Sequence, residues 1–337
     1  MREYSVAVVG ASGAVGQEML RVLQQRQFPV KSLRAFATRK SAGQKIEFKG
    51  QSITVEDVEG ASFRGIEVAL FAGGEVASSV YAPKAVAEGA LVIDNSSHFR
   101  MDPKVPLVVP EVNPDALKQH SGLIANPNCS TIQMVVVLKP IHDAARIKRV
   151  VMSSYQAVSG TGKAAMDELQ AQMQALVAGQ PVPVQVYPHQ IALNVLPQIG
   201  GFGPDGYSEE ETKVMNETRK IMGDDRIAVT ATTVRVPVLI GHSEAINVET
   251  ERPLTAAEVR DLMAKAPGIK VVDDPAKSVY PLPILAAGQD DVLVGRIRKD
   301  LSHPNGIELW IAADNLRKGA ATNAIQIAET MLNLALV

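Results

Sequence analysis

Residues 4–25 constrain this chain more than any other stretch. Tyr4-Ser5-Val6-Ala7-Val8-Val9 is apolar and β-branched, the pattern of a buried strand. It runs without a break into Gly10-Ala11-Ser12-Gly13-Ala14-Val15-Gly16, and Gln17–Gln25 then places Met19, Leu20, Val22 and Leu23 at helical spacing. Strand, tight turn and helix in succession define a βα unit, the building block of a doubly wound parallel sheet. The glycines are spaced G-x-x-G-x-x-G, a variant of the dinucleotide fingerprint. The physical demands are the same: a tight turn, close backbone approach, and a pyrophosphate on the N–H groups of a helix start. Gly10, Ser12, Gly13, Ala14, Val15 and Gly16 are therefore candidate cofactor contacts.

The next strand pattern, Ser32–Ala37, ends in Thr38-Arg39-Lys40-Ser41. NAD enzymes place an acid roughly 20 residues past the glycines, on the ribose 2′-hydroxyl. Here there is none, and two cations with two hydroxyls suit a 2′-phosphate, so NADP is expected over NAD. Arg39, Lys40 and Ser41 are the contacts, although a solvated basic turn has the same composition. Residues 65–74 read as a strand ending in Gly73-Gly74, where a nicotinamide or ribose can come close. A helix over 76–88 and a strand over Leu91–Asp94 follow, then the polar cluster Asn95-Ser96-Ser97-His98-Phe99-Arg100. Arg100 suits an anion at that strand end. Residues 1–128 are thus expected to form a Rossmann-type domain. A chain of 337 residues is long for one hydrophobic core, so a second domain is expected beyond it.

Asn126-Pro127-Asn128-Cys129-Ser130-Thr131 marks the seam and holds the only cysteine. A lone thiol makes no internal disulfide; it is either a small apolar filler or a reactive group. Asn-Pro-Asn is turn chemistry, and the run Met134–Leu138 beyond it predicts a buried helix. A thiol at a helix N-terminus feels the positive end of the helix dipole, which favours the thiolate.

The second half reads differently. Val150–Val158, 227–236, 245–250, 291–298 and 306–314 are strand patterns, with helices over 164–177, 209–222, 256–266 and 320–336. Strands grouped in this way predict an α+β domain with a mixed or antiparallel sheet. Prolines and glycines punctuate residues 179–206, the mark of a functional or interface loop. Ser208-Glu209-Glu210-Glu211 has the N-cap and first-turn chemistry of a helix, and that role accounts for most of its acidity. Arg235 lies within a β-branched strand and His242 in a turn after Gly241. Either alone is unremarkable; with one thiol and a dinucleotide fold they suggest covalent catalysis.

The formal charge of −2 gives no reason to expect nucleic acid or a membrane surface as a partner. No secretory signal, no spanning apolar run and one cysteine point to the cytoplasm, and no metal-ligand spacing is present.

Seven stretches in order carry a resemblance. They are Gly10–Gly16, Asn95-Ser96-Ser97 with Arg100, Asn126–Thr131, Gln156-Ala157-Val158-Ser159-Gly160, Glu210-Glu211-Thr212-Lys213, Arg235-Val236-Pro237-Val238 and Gly241-His242. Together they resemble the aspartate-β-semialdehyde dehydrogenase family, in its shorter bacterial form, along essentially the whole chain. The resemblance implies NADPH-dependent reduction of L-aspartyl 4-phosphate to aspartate semialdehyde and phosphate. The product would serve lysine/diaminopimelate, threonine, methionine and isoleucine biosynthesis. It implies Cys129 as the nucleophile that forms a thioester, His242 as general acid/base, and Gln156 as the residue orienting the substrate. Arg235, Glu210 and Asn128 would bind the aspartyl group, and Arg100 and Lys213 the phosphate. Ser12–Val15, Lys40-Ser41, Ser159-Gly160 and Asn315 would touch NADP. It further implies a homodimer built through a catalytic domain over 129–315, with the helix of 316–337 packing back on the first domain. Two rival readings are another acyl-phosphate reductase, of the N-acetyl-glutamyl-phosphate or glyceraldehyde-phosphate type, and a non-catalytic paralogue. The Asn128 loop and the Arg235/Glu210 pair favour a free amino-acid substrate, and the presence of the thiol disfavours a dead relative.

Overall fold

In the computed structural model, which describes residues 2–336, the N-terminal strand β1 (Tyr4–Val9) lies inside a seven-stranded sheet. Its companions are β2 (Val30–Ala37), β3 (Lys45–Phe48), β4 (Gln51–Asp57), β5 (Val68–Phe71), β6 (Leu91–Asp94) and β7 (Leu123–Ala125). The order is β3-β4-β2-β1-β5-β6-β7, and every neighbouring pair is parallel except the β3–β4 hairpin at the edge. That hairpin was not expected from the sequence. Its signal is the alternation of Ile46, Phe48, Ile53 and Val55 about Lys49-Gly50, whose φ values of 49° and 75° make the tight turn. Helix α1 (Ala14–Gln25) buries Met19, Leu20 and Leu23 against the sheet, and α2 (Glu75–Ala87) follows β5.

The chain divides into two units. The first runs to Asn128 and resumes at Ala320; the second is Cys129–Gly319. The second unit opens with α3 (Cys129–Ala145), which is apolar nearly all round and buried through Ile132, Met134–Leu138 and Ile141. Then come β8 (Ile147–Gln156), α4 (Lys163–Val177), α5 (Glu209–Met222), β9 (Ala228–Arg235), β10 (His242–Thr250) and α6 (Ala256–Lys265). The unit is completed by β11 (Ile269–Val271), α7 (Pro283–Ala286), β12 (Val292–Lys299) and β13 (Gly306–Ala313). These form a six-stranded mixed sheet in the order β11-β12-β13-β10-β8-β9. Strands β8 and β9 are parallel, as are β11 and β12, while β10 is antiparallel to both of its neighbours. One face is covered by helices, α3 packing on β10 and α5 on β9. The other carries Tyr155 and Trp310, whose ring centroids are 5.3 Å apart.

A π-turn over Arg317–Ala321 leads into the last helix, α8 (Thr322–Asn333), which returns to the first unit. Ala324, Ile325, Ala328 and Met331 recur at helical spacing and enter that unit's core. Asn323 Nδ2 donates to Val108 O at 3.0 Å and to Asn126 Oδ1 at 2.8 Å, and Arg26 pairs bidentately with Glu329 at 2.9 and 2.6 Å.

The acidic run before α5 is a capping box: the Ser208 hydroxyl accepts from the Glu211 N–H, and Glu211 reaches back to the Ser208 N–H at 2.7 Å. Glu211 also accepts from the Thr233 N–H at 2.8 Å, so one carboxylate ties α5 to β9. Ser208→Ala should cost about 1 kcal/mol, read as a lower urea midpoint with an unchanged slope.

Candidate active site

One end of the six-stranded sheet collects the polar groups. The parallel strands β8 and β9 end at Gln156 and Arg235, which are register partners. β10 runs the other way and so begins at this end, with His242 opposite Ala313, the last residue of β13. His242 is therefore the first residue of a strand, and the sequence expectation of a turn applies only to Gly241 before it. Gly241 has φ +98° and donates its N–H to Asn315 Oδ1 at 2.9 Å, which fixes the approach to His242.

Cys129, the first residue of α3, places its Sγ 3.3 Å from His242 Nε2. The other ring nitrogen, Nδ1, accepts the Ala157 N–H at 3.0 Å. His242 is fully buried, which pushes its pKa well below the ordinary histidine value, and the positive charge of Arg235 adds to the effect. Burial and the Arg235 charge both favour the neutral ring. Arg235, which the strand pattern alone would leave as an exposed cation, is only 5% exposed. Its Nη1 donates to Ala157 O at 2.7 Å and its Nε has no protein partner. The guanidinium lines a cleft of about 480 Å³ with Tyr187, His189, Gln198 and Phe202. Gln156 Nε2 donates to Glu210 Oε1 at 3.0 Å, while Gln156 Oε1 accepts from Ser154 Oγ at 2.9 Å. Both amide ends are held, so the side chain cannot swing. Gly160 closes the back: a Cβ there would meet Arg235 Nη1 at 2.9 Å and His242 Nε2 at 3.3 Å. Ser159 and Asn315 are buried and bonded to each other, with Asn315 Nδ2 donating to Ser159 Oγ at 2.9 Å. Lys213 is half-buried on α5.

The first unit holds the remaining candidates. Arg100 is buried at the carboxyl ends of β6 and β7, donating to Asn126 O at 3.0 Å and to Asn95 O at 2.8 Å. Asn128 is buried where this unit ends. In the glycine turn, Gly10 has φ +85°, and a Cβ there would lie 2.5 Å from Ala72 O. Gly13 caps α1 without a side-chain bond, and no acid occupies the first turn, so the helix start offers its N–H groups to an anion. Ser12, Ala14 and Val15 are partly accessible, Gly13, Arg39 and Lys40 are exposed, Ser41 is half-exposed, and Gly73 lies at the end of β5. These residues fit a dinucleotide. Among the described residues no group of His, Cys, Asp and Glu could hold a metal ion, and no helix is long and apolar enough to cross a membrane.

Two family profiles cover most of the chain: the semialdehyde dehydrogenase NAD-binding domain over residues 5–120 and the semialdehyde dehydrogenase dimerisation domain over residues 138–318. The aspartate-semialdehyde dehydrogenase of Aquifex aeolicus is 53% identical over 99% of both chains, and that of Legionella pneumophila 54% identical over 98% of this chain and 96% of its own. The crystal structure of aspartate-semialdehyde dehydrogenase II from Vibrio cholerae complexed with ASA superposes with a TM-score of 0.97, at 47% identity over 99% of each chain. The chain belongs to the aspartate-semialdehyde dehydrogenase family. As a member it is an oxidoreductase acting on an aldehyde group, and neither rival reading is favoured.

Two further polar residues lie on the elements that carry Cys129 and His242. Glu244 follows His242 by two residues on the same face of β10, and Gln133 follows Cys129 by one helical turn of α3. Both are fully buried, and neither the carboxyl oxygens nor the amide atoms have a direct protein partner. Sequence reasoning missed both; the signal was the two spacings, visible once the elements are assigned. Burial pushes the Glu244 carboxyl well above its ordinary 4.5, with the nearby Gln133 amide acting weakly the other way. The native state therefore keeps a proton that the unfolded chain releases above about pH 4.5, and stability falls as pH rises from there. Glu244→Gln, which does not titrate, should match the parent's melting temperature near pH 5 and exceed it near pH 8. Differential scanning calorimetry at the two pH values checks this.

Proposed function

We propose that this chain reduces L-aspartyl 4-phosphate to L-aspartate 4-semialdehyde and phosphate through a thioester on Cys129. The 3.3 Å approach of Cys129 Sγ to His242 Nε2, in a chain of this family, carries the reading. A thiolate is a strong nucleophile and also a good leaving group from a thioester. Its place at the start of α3 supports ionisation, and the N–H groups of that first turn stabilise negative charge on the acyl oxygen. His242 is the thiol's partner. Arg235 takes the substrate α-carboxylate in its planar fork, which its unpartnered Nε and the adjoining cleft support. Glu210 takes the amino group, Gln156 and Asn128 orient the acyl end, and Arg100 and Lys213 bind the phosphate.

NADPH, when bound, supplies the hydride. The first unit holds it through Gly10–Gly16, Gly73 and the 2′-phosphate contacts Arg39, Lys40 and Ser41, with Ser159, Gly160 and Asn315 as further contacts. Residues from Cys129 onward carry the catalysis, and the enzyme is a cytoplasmic homodimer assembled through the second unit. The face bearing Tyr155, Trp310, Tyr280 and Leu282 supports that assembly, since Tyr155, Tyr280 and Leu282 are exposed there. The product serves lysine/diaminopimelate, threonine, methionine and isoleucine biosynthesis.

Phosphate, NADP and aspartate semialdehyde together should generate NADPH absorbance, and Cys129→Ser should lower kcat on the order of a thousandfold or more. Turnover of an N-acetylated semialdehyde in place of the free amino acid would overturn the substrate assignment. Replacing Arg39 and Lys40 by glutamate should move the NADP/NAD preference toward NAD by at least about tenfold; an unchanged ratio of kcat/KM values removes both from the cofactor site.

A further inference from the structure

Residues 183–192 form no helix or strand, yet two side chains of α4 hold their backbone along its length. Glu168 and Gln172 are four residues apart, so they share one face of the helix, and both are buried. One Glu168 carboxylate oxygen accepts the Gln185 and Val186 N–H groups, each at 2.6 Å, and the other faces the Tyr187 N–H at 3.5 Å. Gln172 Oε1 accepts from the Ile191 and Ala192 N–H groups at 3.0 and 2.9 Å, and its Nε2 donates to Pro183 O at 2.8 Å. Ile191, Ala192 and Leu196 share a small apolar core with Ala165 and Leu169 of the same helix. A covered backbone with no ladder of its own needs such partners.

We propose that Glu168 and Gln172 are positioning residues for substrate binding: they fix residues 183–192 as a preformed wall of the Arg235 cleft. Tyr187 and His189 are the side chains that this wall presents to the cleft, and neither Glu168 nor Gln172 lines it. The proposal deepens the reading of Arg235 as the residue that takes the substrate carboxylate, and it rests on that reading. A wall fixed in advance adds no loop-ordering cost to binding.

Further ties set the wall against the guanidinium. Tyr187 Oη lies 2.9 Å from Thr161 Oγ1, in the turn after Gly160, and Gly160 itself abuts Arg235 and His242. Leu196 pairs with Arg235 through both backbone groups, its N–H to Arg235 O at 2.9 Å and its carbonyl to the Arg235 N–H at 2.8 Å. Beyond it, the Glu209 N–H at the start of α5 donates to Gly201 O at 2.8 Å. Between these anchors Leu193 has φ +58°, in the left-handed region that a leucine seldom adopts. Such a conformation persists where the surrounding structure over-determines it, and here Ala192 and Leu196 are tied on either side. Burial pushes the Tyr187 phenol above its ordinary pKa, so the group beside the Arg235 charge stays a neutral hydroxyl.

Steady-state kinetics of the full chain with phosphate, NADP and aspartate semialdehyde test this. Glu168→Ala and Gln172→Ala should each raise KM for the semialdehyde about tenfold, with a smaller change in kcat and KM for NADP within about twofold. Glu168→Gln, which keeps an acceptor oxygen, should stay within about threefold of the parent. A residue that served only the fold would lower the melting temperature and leave the semialdehyde KM of the folded molecules alone. An unchanged semialdehyde KM, or an equal rise in KM for NADP, overturns the proposal. Hydrogen exchange of the parent needs no variant: without substrate, the amides of Gln185, Val186, Ile191 and Ala192 should exchange at least about a hundredfold more slowly than unstructured chain. Unprotected amides there mean a wall that forms only on binding, which also overturns it. Absence of turnover of aspartate semialdehyde by the parent would instead remove the reading of the site itself, so the two failures are distinguishable.

Discussion

The pairing of β8 with its two neighbours decides where the chemistry can be. β8 is parallel to β9 and antiparallel to β10, so two strand ends and one strand start meet at the same edge of the sheet. Gln156, Arg235 and His242 are the residues that occupy those positions. Side chains alternate between faces, so a slip of one residue in either pairing would send His242 or Gln156 to the opposite face, away from α3. The register is in turn secured by the buried face, where Val150, Met152, Ile246 and Val248 lie under the helices.

A site built this way places polar and charged groups where water does not reach, and each must be answered by the chain. Gln156 has Ser154 and Glu210, Arg235 has the Ala157 carbonyl, and His242 has the Ala157 amide and the Cys129 sulfur. Ala157 has no functional side chain, yet its peptide groups bond both Arg235 and His242. The groups left without protein partners are as informative: Arg235 Nε, both amide atoms of Gln133 and both carboxyl oxygens of Glu244 are buried with no direct partner. Buried polar atoms of this kind cost stability, and active sites are where such costs are retained.

Much of the architecture can be read from local pattern. The strand, glycine turn and helix of residues 4–25 indicate the parallel sheet, and the spacing of strands and helices beyond residue 147 indicates a mixed sheet under helices. The capping box at Ser208–Glu211 is visible in four letters. The β3–β4 hairpin escaped because its strands are short and polar on one face, with a Lys-Gly turn that is a weaker signal than Asn-Gly. His242 was assigned to a turn because glycine and proline precede it, and the strand begins at His242, three residues before the 245–250 pattern.

The sequence by itself determined the elements, the likeness of its motifs to one family, and the singularity of Cys129, because these depend on residue type and on spacing over a few turns. Only the tertiary structure decided that a sulfur at position 129 and a ring nitrogen at position 242 lie within reach of each other. It alone decided which nitrogen faces the sulfur, and that Arg235 and Glu244 are buried. The physical reason is that burial and hydrogen-bond partnership are set by strand register and helix packing across more than a hundred residues, and no local pattern encodes those.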